Sequence, residues 1–237
     1  MQVIAHRGNK KYYPENTMVA FKSAANYPIN GIECDIQLTR DRVPVIIHDP
    51  TLERTTNGVG RVADMSYKDI SELDAGAPFS NEFSGEKIPS LEEFCAFINQ
   101  TNLTFHLELK EQLESEGFVK RVLEIVKQAG MIDKTVVSTF IHPYLKEVKE
   151  FDSKIETALL TRVPLVNASR YMKRVQADSI HIRHGVQTLL HYRIWARQQK
   201  TIRAYNVHTA IDYKRCEARC VSGIISDDPR LMTSFKS

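Results

Sequence analysis

Several features are missing from the sequence, and each absence excludes something. No apolar run approaches the ~20 residues of a membrane-spanning helix. The longest, such as Val43-Pro-Val-Ile-Ile47, are strand-sized. No Lys/Arg-rich tract stands out, aromatics are not interleaved with basic residues, and the formal net charge is only +3. Nucleic-acid binding therefore has no footprint here. No amphipathic basic helix of the kind that lies on membranes is evident from the sequence, and there is no low-complexity linker and no internal repeat beyond an alternation of strands and helices. Four cysteines, Cys34, Cys95, Cys216 and Cys220, are too few in 237 residues for a disulfide scaffold. Cys216 and Cys220 are spaced as one helical face rather than as a zinc knuckle, so free buried thiols are expected. A secretory signal occupies 15–30 residues, and a candidate catalytic residue, His6, lies too near the start to leave room for one. The expectation is a cytoplasmic protein with no signal peptide and no stable membrane anchor.

What is present is an ordinary globular composition, 42% apolar and 26% charged. Short apolar runs at residues 2–5, 31–38, 43–47, 103–109, 135–139, 157–160, 178–182, 201–205 and 223–226 alternate with helical patterns, which predicts βα units and a parallel sheet. Asn16 or Thr17 can cap a helix running to about residue 27. Ser66-Tyr-Lys-Asp69 and Ser90-Leu-Glu-Glu93 read as capping boxes or close variants. Residues 114–129 place Phe118, Val122, Ile125, Val126 and Ala129 on one face, and Gly130 ends that helix.

Nine strands are one more than an eight-stranded barrel uses. Only residues 39–42 separate the second and third, too few for a parallel crossover but enough for a hairpin. A turn centred on Arg40-Asp41 gives residue pairs summing to 81 and sets His48 opposite Glu33. Residues 50–89 are long for a loop, and read as an insertion over the barrel mouth.

Alternation along Gly31-Ile-Glu-Cys-Asp-Ile-Gln37 puts Glu33 and Asp35 on one face and Ile32, Cys34 and Ile36 on the other. With the apolar set against helices, the two carboxylates face the barrel interior. Like charges there need a hard cation, Mg²⁺ or Ca²⁺, or neutralisation by Arg or Lys. In Thr104-Phe-His-Leu-Glu-Leu-Lys110 the same alternation turns His106, Glu108 and Lys110 inward. Glu108 and Lys110 suit a metal-plus-phosphate site or a simple ion pair, while His106 lies deeper and reads as structural. His6 and His48 end their strands, where two imidazoles can share acid and base duties near neutral pH. Arg7 offers a planar fork for phosphate oxygens, and Gly8 lets the backbone turn close to a ligand.

His6-Arg7-Gly8, Pro14-Glu15-Asn16-Thr17, Ile32-Glu-Cys-Asp-Ile-Gln-Leu-Thr-Arg-Asp41, Val45-Ile-Ile-His-Asp49, Arg54-Thr-Thr-Asn-Gly58, Ile88-Pro-Ser-Leu-Glu-Glu93 and Glu108-Leu-Lys110 together resemble the glycerophosphodiester phosphodiesterase family. The later half resembles it through Val137-Ser-Thr-Phe140 and Gly223-Ile-Ile-Ser-Asp227 with Pro229. The resemblance implies a single (β/α)8 TIM-barrel domain with its insertion over the C-terminal face of the strands. It implies metal-dependent hydrolysis of a small phosphodiester to an alcohol and glycerol 3-phosphate. It assigns His6 and His48 as the acid/base pair. Glu33, Asp35 and Glu108 would hold one divalent cation, and Arg7 and Lys110 would bind phosphate. Glu15 would organise the site, and Phe140 and Tyr205 would line the alcohol pocket. The family's Trp-Thr-x-Asn run departs here to Tyr205-Asn-Val-His208. A lysophospholipase D or a phospholipase stopping at a cyclic phosphate is an alternative on the same centre. A non-catalytic phosphodiester-binding barrel is the alternative from another class.

Overall fold

A computed structural model describes residues 1–112 and 116–235. All nine expected strands are present: β1 (Gln2–His6), β2 (Gly31–Leu38), β3 (Pro44–Ile46), β4 (Thr104–Leu109), β5 (Thr135–Thr139), β6 (Glu156–Thr161), β7 (Ser179–Arg183), β8 (Thr201–Tyr205) and β9 (Gly223–Ser226). Eight of them form one parallel sheet that closes through the β1–β2 pairing, while β3 lies antiparallel on β2. This is a (β/α)8 barrel. Among the described residues nine helices pack around and beside it: α1 (Met18–Ala25), α2 (Tyr67–Ser71), α3 (Leu91–Ile98), α4 (Phe118–Gln128), α5 (Pro143–Phe151), α6 (Ala168–Val175), α7 (Leu189–Arg197), α8 (Ala210–Ala218) and α9 (Pro229–Thr233).

Strand alternation decides what faces the helices. Ile32, Cys34 and Ile36 of β2 and Phe105, Leu107 and Leu109 of β4 belong to the main apolar core. Phe94 of α3 sits 4.4 Å from the Phe21 ring and 5.0 Å from the Phe105 ring. Truncating such a buried aromatic to alanine costs about 3–5 kcal/mol, so this cluster holds firmly the two strands that carry the acidic residues.

Local signals placed several helix ends correctly. Thr17, not Asn16, caps α1, with its hydroxyl accepting from the Ala20 N–H. Ser90 and Glu93 form a full capping box, and Ser66 caps α2. Gly130, at φ +69°, donates to the Lys127 carbonyl and Met131 donates to that of Val126, the paired bonds of a left-handed helix stop. The expected start of that helix at 114 lies outside the described residues, and α4 begins at Phe118.

Two expectations are corrected. The β2–β3 ladder pairs Ile36 with Ile46, Gln37 with Val45 and Leu38 with Pro44, so the pairs sum to 82, not 81. The tightest hairpin turns need positive φ at their two central residues, which Arg40 and Asp41 do not favour. The chain instead uses a three-residue loop, Arg40 to Arg42, with only Arg42 left-handed at φ +61°. His48 is therefore not opposite Glu33. Cys220, expected to be buried, is exposed and lies beyond the end of α8, whereas Cys34, Cys95 and Cys216 are buried.

The segment between β3 and β4 builds a small core of its own from Leu52, Val62, Ile70, Ala75 and Ile88 against Val45 and Ile47. Among the described residues no helix is long and apolar enough to cross a membrane.

The lower interior of the barrel is polar. Arg203 pairs with Glu156 at 2.5 Å and reaches Ser179 and the His181 Nε2 at 3.4 Å. His106 lies 5.9 Å from the His181 ring and shares a hydrogen bond with Thr104. Burial, then the Arg203 charge, hold both imidazoles well below their ordinary pKa. They are neutral when folded, so below pH 6.5 the unfolded chain binds more protons than the native one. Stability should fall as pH drops from 6.5, by up to about 1.4 kcal/mol per pH unit for each group. Urea titrations from pH 7 to 5 should show this fall, and His181→Gln should make the slope shallower; an unchanged slope in the variant contradicts the assignment.

Candidate active site

The inward residues of β2 and β4 converge at the C-terminal rim, where barrel enzymes place their chemistry. Ligand oxygens of Glu33, Asp35 and Glu108 all lie within 4.8 Å of one another, and all three residues are buried. Two cations interleave with them. The Arg7 Nε lies 3.0 Å from Asp35, and its Nη1 donates to Glu15 at 2.8 Å. Lys110 lies 2.9 Å from Asp35 and is in direct contact with Glu108. Arg and Lys, one of the two ways of satisfying buried carboxylates foreseen from the sequence, neutralise part of the cluster, and the three carboxylates are close enough together that they could also hold a metal ion.

The charges are unevenly compensated. Burial opposes ionisation of Asp35, yet Lys110 and Arg7 outweigh it and hold its pKa far below the ordinary range. Asn16, left-handed at φ +58°, adds a 2.8 Å hydrogen bond to the same carboxylate. Glu33 goes the other way: burial, then Asp35 and Glu108, push its pKa well up. Burial also raises Glu108 despite Lys110. A cation bound between them would remove this penalty.

His6 and His48 border the same cavity of about 320 Å³, together with Arg7, Glu33, Glu108 and Lys110. Each imidazole has a carboxylate on Nδ1 at 2.5 Å: Asp227 for His6 and Asp49 for His48. A carboxylate there favours the N–H on Nδ1 and leaves Nε2 to face the cavity. The Nε2 of His6 lies 3.9 Å from Glu33. Burial is the largest influence on both histidines and lowers both pKa values below 6.5. His48 reaches the cavity because β3 ends after Ile46, not through the ladder register; Gln37 donates to its carbonyl at 3.1 Å.

Sequence reasoning missed the roles of Asp227, Asp49 and Arg54. All three stood in quoted motifs, but pairing the aspartates with ring nitrogens, and Arg54 with Glu15, takes three-dimensional proximity. Gly8 is also demanded by packing. At φ +84°, a Cβ there would lie 2.7 Å from the Ala20 backbone, so its close approach is to α1.

The remaining wall comes from β5 to β8. Phe140 and Tyr205 line the cavity, with Arg162, Arg183 and Asn206. The Arg162 guanidinium lies 4.5 Å above the Phe140 ring, and the Tyr205 hydroxyl donates to the Thr161 carbonyl at 3.0 Å. In the departing 205–208 run, His208 lies 3.8 Å from Asp227.

Fold and rim together define a TIM-barrel enzyme whose candidate centre combines an acidic cation seat with two carboxylate-backed histidines. Comparison with known proteins narrows the class. The Glycerophosphoryl diester phosphodiesterase family matches residues 6–231. A glycerophosphodiester phosphodiesterase of Caldanaerobacter subterraneus is 34% identical over 98% of this chain and 96% of its own. One from Bacillus altitudinis is 33% identical over 96% and 95%. A phosphodiesterase of Oleispira antarctica, solved in complex with the product sn-glycerol-3-phosphate, superposes with a TM-score of 0.94 at 26% identity, covering 99% of this chain and 96% of that one. The chain belongs to the glycerophosphoryl diester phosphodiesterase family.

Glu15 ties the insertion to this centre. It accepts from Arg7 and, at 2.8 and 3.0 Å, from both terminal nitrogens of Arg54, which also holds Asp49. Burial opposes its charge, but Arg54 and Arg7 bring its pKa down to about 2. Glu15→Gln should cost about 1–3 kcal/mol, the range for a lost charge-assisted bond that strands its partner. It should also speed amide exchange around residues 50–60; unchanged exchange there means the tie does not hold the insertion.

Proposed function

We propose that this chain hydrolyses glycerophosphodiesters to an alcohol and glycerol 3-phosphate, using His6 and His48 as the acid/base pair. The observation that carries this reading is the pair of imidazoles, each backed by its own carboxylate, bordering one cavity with the three-carboxylate cluster.

The donor set fits a hard divalent cation. Glu33, Asp35 and Glu108 supply oxygen only, and the raised pKa values of Glu33 and Glu108 report carboxylate charge that Arg7 and Lys110 leave uncompensated. Mg²⁺ or Ca²⁺ held there supplies Lewis-acid polarisation of phosphoryl oxygens and a template for the substrate. Arg7 and Lys110, both at the cavity wall, offset the charge that gathers on the phosphoryl group.

The histidines move the protons. One imidazole takes the proton of the attacking hydroxyl, from the substrate glycerol or from water, on Nε2. The positive charge it gains is stabilised by the aspartate on Nδ1. The other, loaded with a proton in the field of the anionic substrate, gives it to the oxygen of the departing alcohol. If the glycerol hydroxyl attacks, the product is a cyclic phosphate, and the same pair run in reverse delivers water to open it.

The leaving alcohol meets Phe140, Tyr205, Arg162 and Arg183. A quaternary ammonium binds best to an open aromatic face. Here the Phe140 face is covered by Arg162, and the neighbouring charges are positive. This wall favours a neutral polyol or an anionic alcohol over choline.

His6→Ala and His48→Ala should each lose at least ~100-fold in kcat while keeping the wild-type circular dichroism spectrum. Chelation should abolish turnover, and Mg²⁺ or Ca²⁺ should restore it. Near-wild-type turnover by both variants overturns the histidine assignment. In a separate comparison, glycerophosphoglycerol or glycerophosphoinositol should exceed glycerophosphocholine in kcat/KM by about tenfold, equivalent to ~1.4 kcal/mol. Arg162→Ala should narrow that gap, and a wild-type preference for the choline ester contradicts it.

A further inference from the structure

One face outside the active centre has an unusual charge distribution. From Arg162 to Lys200 the chain holds eight Lys/Arg and a single acidic residue, Asp178. That carboxylate is itself paired with Lys149 at 2.6 Å. The rest of the chain is net acidic, since the whole carries only +3. The fold brings the loop and helices of this stretch together. The Gln187 side chain donates to the Leu165 carbonyl at 2.9 Å, and the Ser169 hydroxyl donates to Gln198 at 2.8 Å, so the loop after β6 and helices α6 and α7 lie side by side. Arg170 and Arg174 of α6 and Arg193 and Arg197 of α7, each pair one turn apart, are all exposed.

Apolar side chains stand among these cations. Val166 is 90% exposed, Leu190 65%, Val163 62% and Ile194 40%. A groove of about 570 Å³ is lined by Leu165, Val166 and Tyr171 together with Arg170 and Arg174. Soluble surfaces seldom cluster apolar side chains this way unless something covers them.

Charge selects the occupant. A second copy presenting the same face would set arginine against arginine, which repels. A soluble polyanion would satisfy the cations but leave the valines, leucine and isoleucine in water. An anionic phospholipid surface meets both demands, with phosphates for the arginines and a headgroup–acyl boundary for the apolar tips. The face is also continuous with the active-site mouth, because Arg162 and Arg183 line the central cavity and Val163 lines the cleft beside it.

We propose that the loop after β6 and helices α6 and α7 form a docking face for an anionic phospholipid bilayer, which brings the barrel mouth to the membrane surface. The attachment is peripheral and reversible, and it stands whatever chemistry the centre performs. The full chain should co-sediment with vesicles of phosphatidylglycerol and phosphatidylcholine. It should bind at least ~10-fold more weakly to pure phosphatidylcholine, and binding should weaken as salt rises. Arg170→Glu with Arg174→Glu should reduce binding about tenfold or more, and so should the triple variant Val166→Ser, Leu190→Ser, Ile194→Ser. Turnover of a soluble glycerophosphodiester should stay at the wild-type level in both. Three results overturn the proposal. One is no binding to the anionic vesicles at low salt. A second is wild-type binding by the apolar variant, which marks mere attraction to a polyanion. The third is self-association in sedimentation velocity that the apolar variant abolishes, which marks the face as an interface between copies.

Discussion

The mutual repulsion of three buried carboxylates is the constraint around which the upper half of this barrel is organised. Glu33, Asp35 and Glu108 lie within 4.8 Å of one another away from bulk water, where unpaired charges of one sign are costly. Arg7 and Lys110 are drawn between them, Asn16 donates to Asp35, and the Arg7 backbone N–H donates to Glu33 at 3.1 Å. The compensation is lopsided. Asp35 pairs with both cations, Glu108 shares Lys110 with it, and Glu33 pairs with neither side chain, so the cluster could take a further cation.

The same electrostatic chain runs outward from the cluster. Arg7 hands its second contact to Glu15, Glu15 holds Arg54, and Arg54 holds Asp49, which in turn orients His48. The insertion between β3 and β4 is thus bound to the catalytic rim by charge, and rests on a separate apolar core of its own. On the opposite side Asp227 takes His6, with Lys10 at 3.5 Å from the same carboxylate. The two histidines are equivalent in local design although they come from different ends of the rim. This symmetry fits the proposed exchange of acid and base roles between the two imidazoles.

Charge also divides the molecule at a larger scale. Acidic groups concentrate where β2 and β4 end, whereas the stretch from Arg162 to Lys200 is strongly basic. The cavity lies between these two regimes, with Arg162 and Arg183 facing the carboxylates across it. Under the proposed function, the basic side would draw an anionic phosphodiester to the cavity mouth, where Arg7 and Lys110 offset the repulsion of the carboxylates.

Much of this was legible in the chain itself. Alternation along β2 and β4 sends Glu33, Asp35 and Glu108 inward because successive strand side chains must point to opposite faces. Helix stops such as Gly130 and caps such as Ser90 are local chemistry, read within four residues. The motif order from His6 to Lys110 carried the family. What depends on distant contacts was not legible. The hairpin register slipped by one because Arg42 could adopt a left-handed conformation, which spacing alone does not reveal. Cys220 is exposed because α8 stops before it. The pairing of Asp227 with His6 spans 221 residues, and the exposed arginines of α6 and α7 form no tract until those two helices are laid side by side. The sequence by itself determined which side chains turn inward and where the well-capped helices begin and end, since those follow from backbone geometry over a few residues. Only closure of the barrel decided which of them meet, because charge pairing and cavity shape depend on distances that local chain geometry does not set.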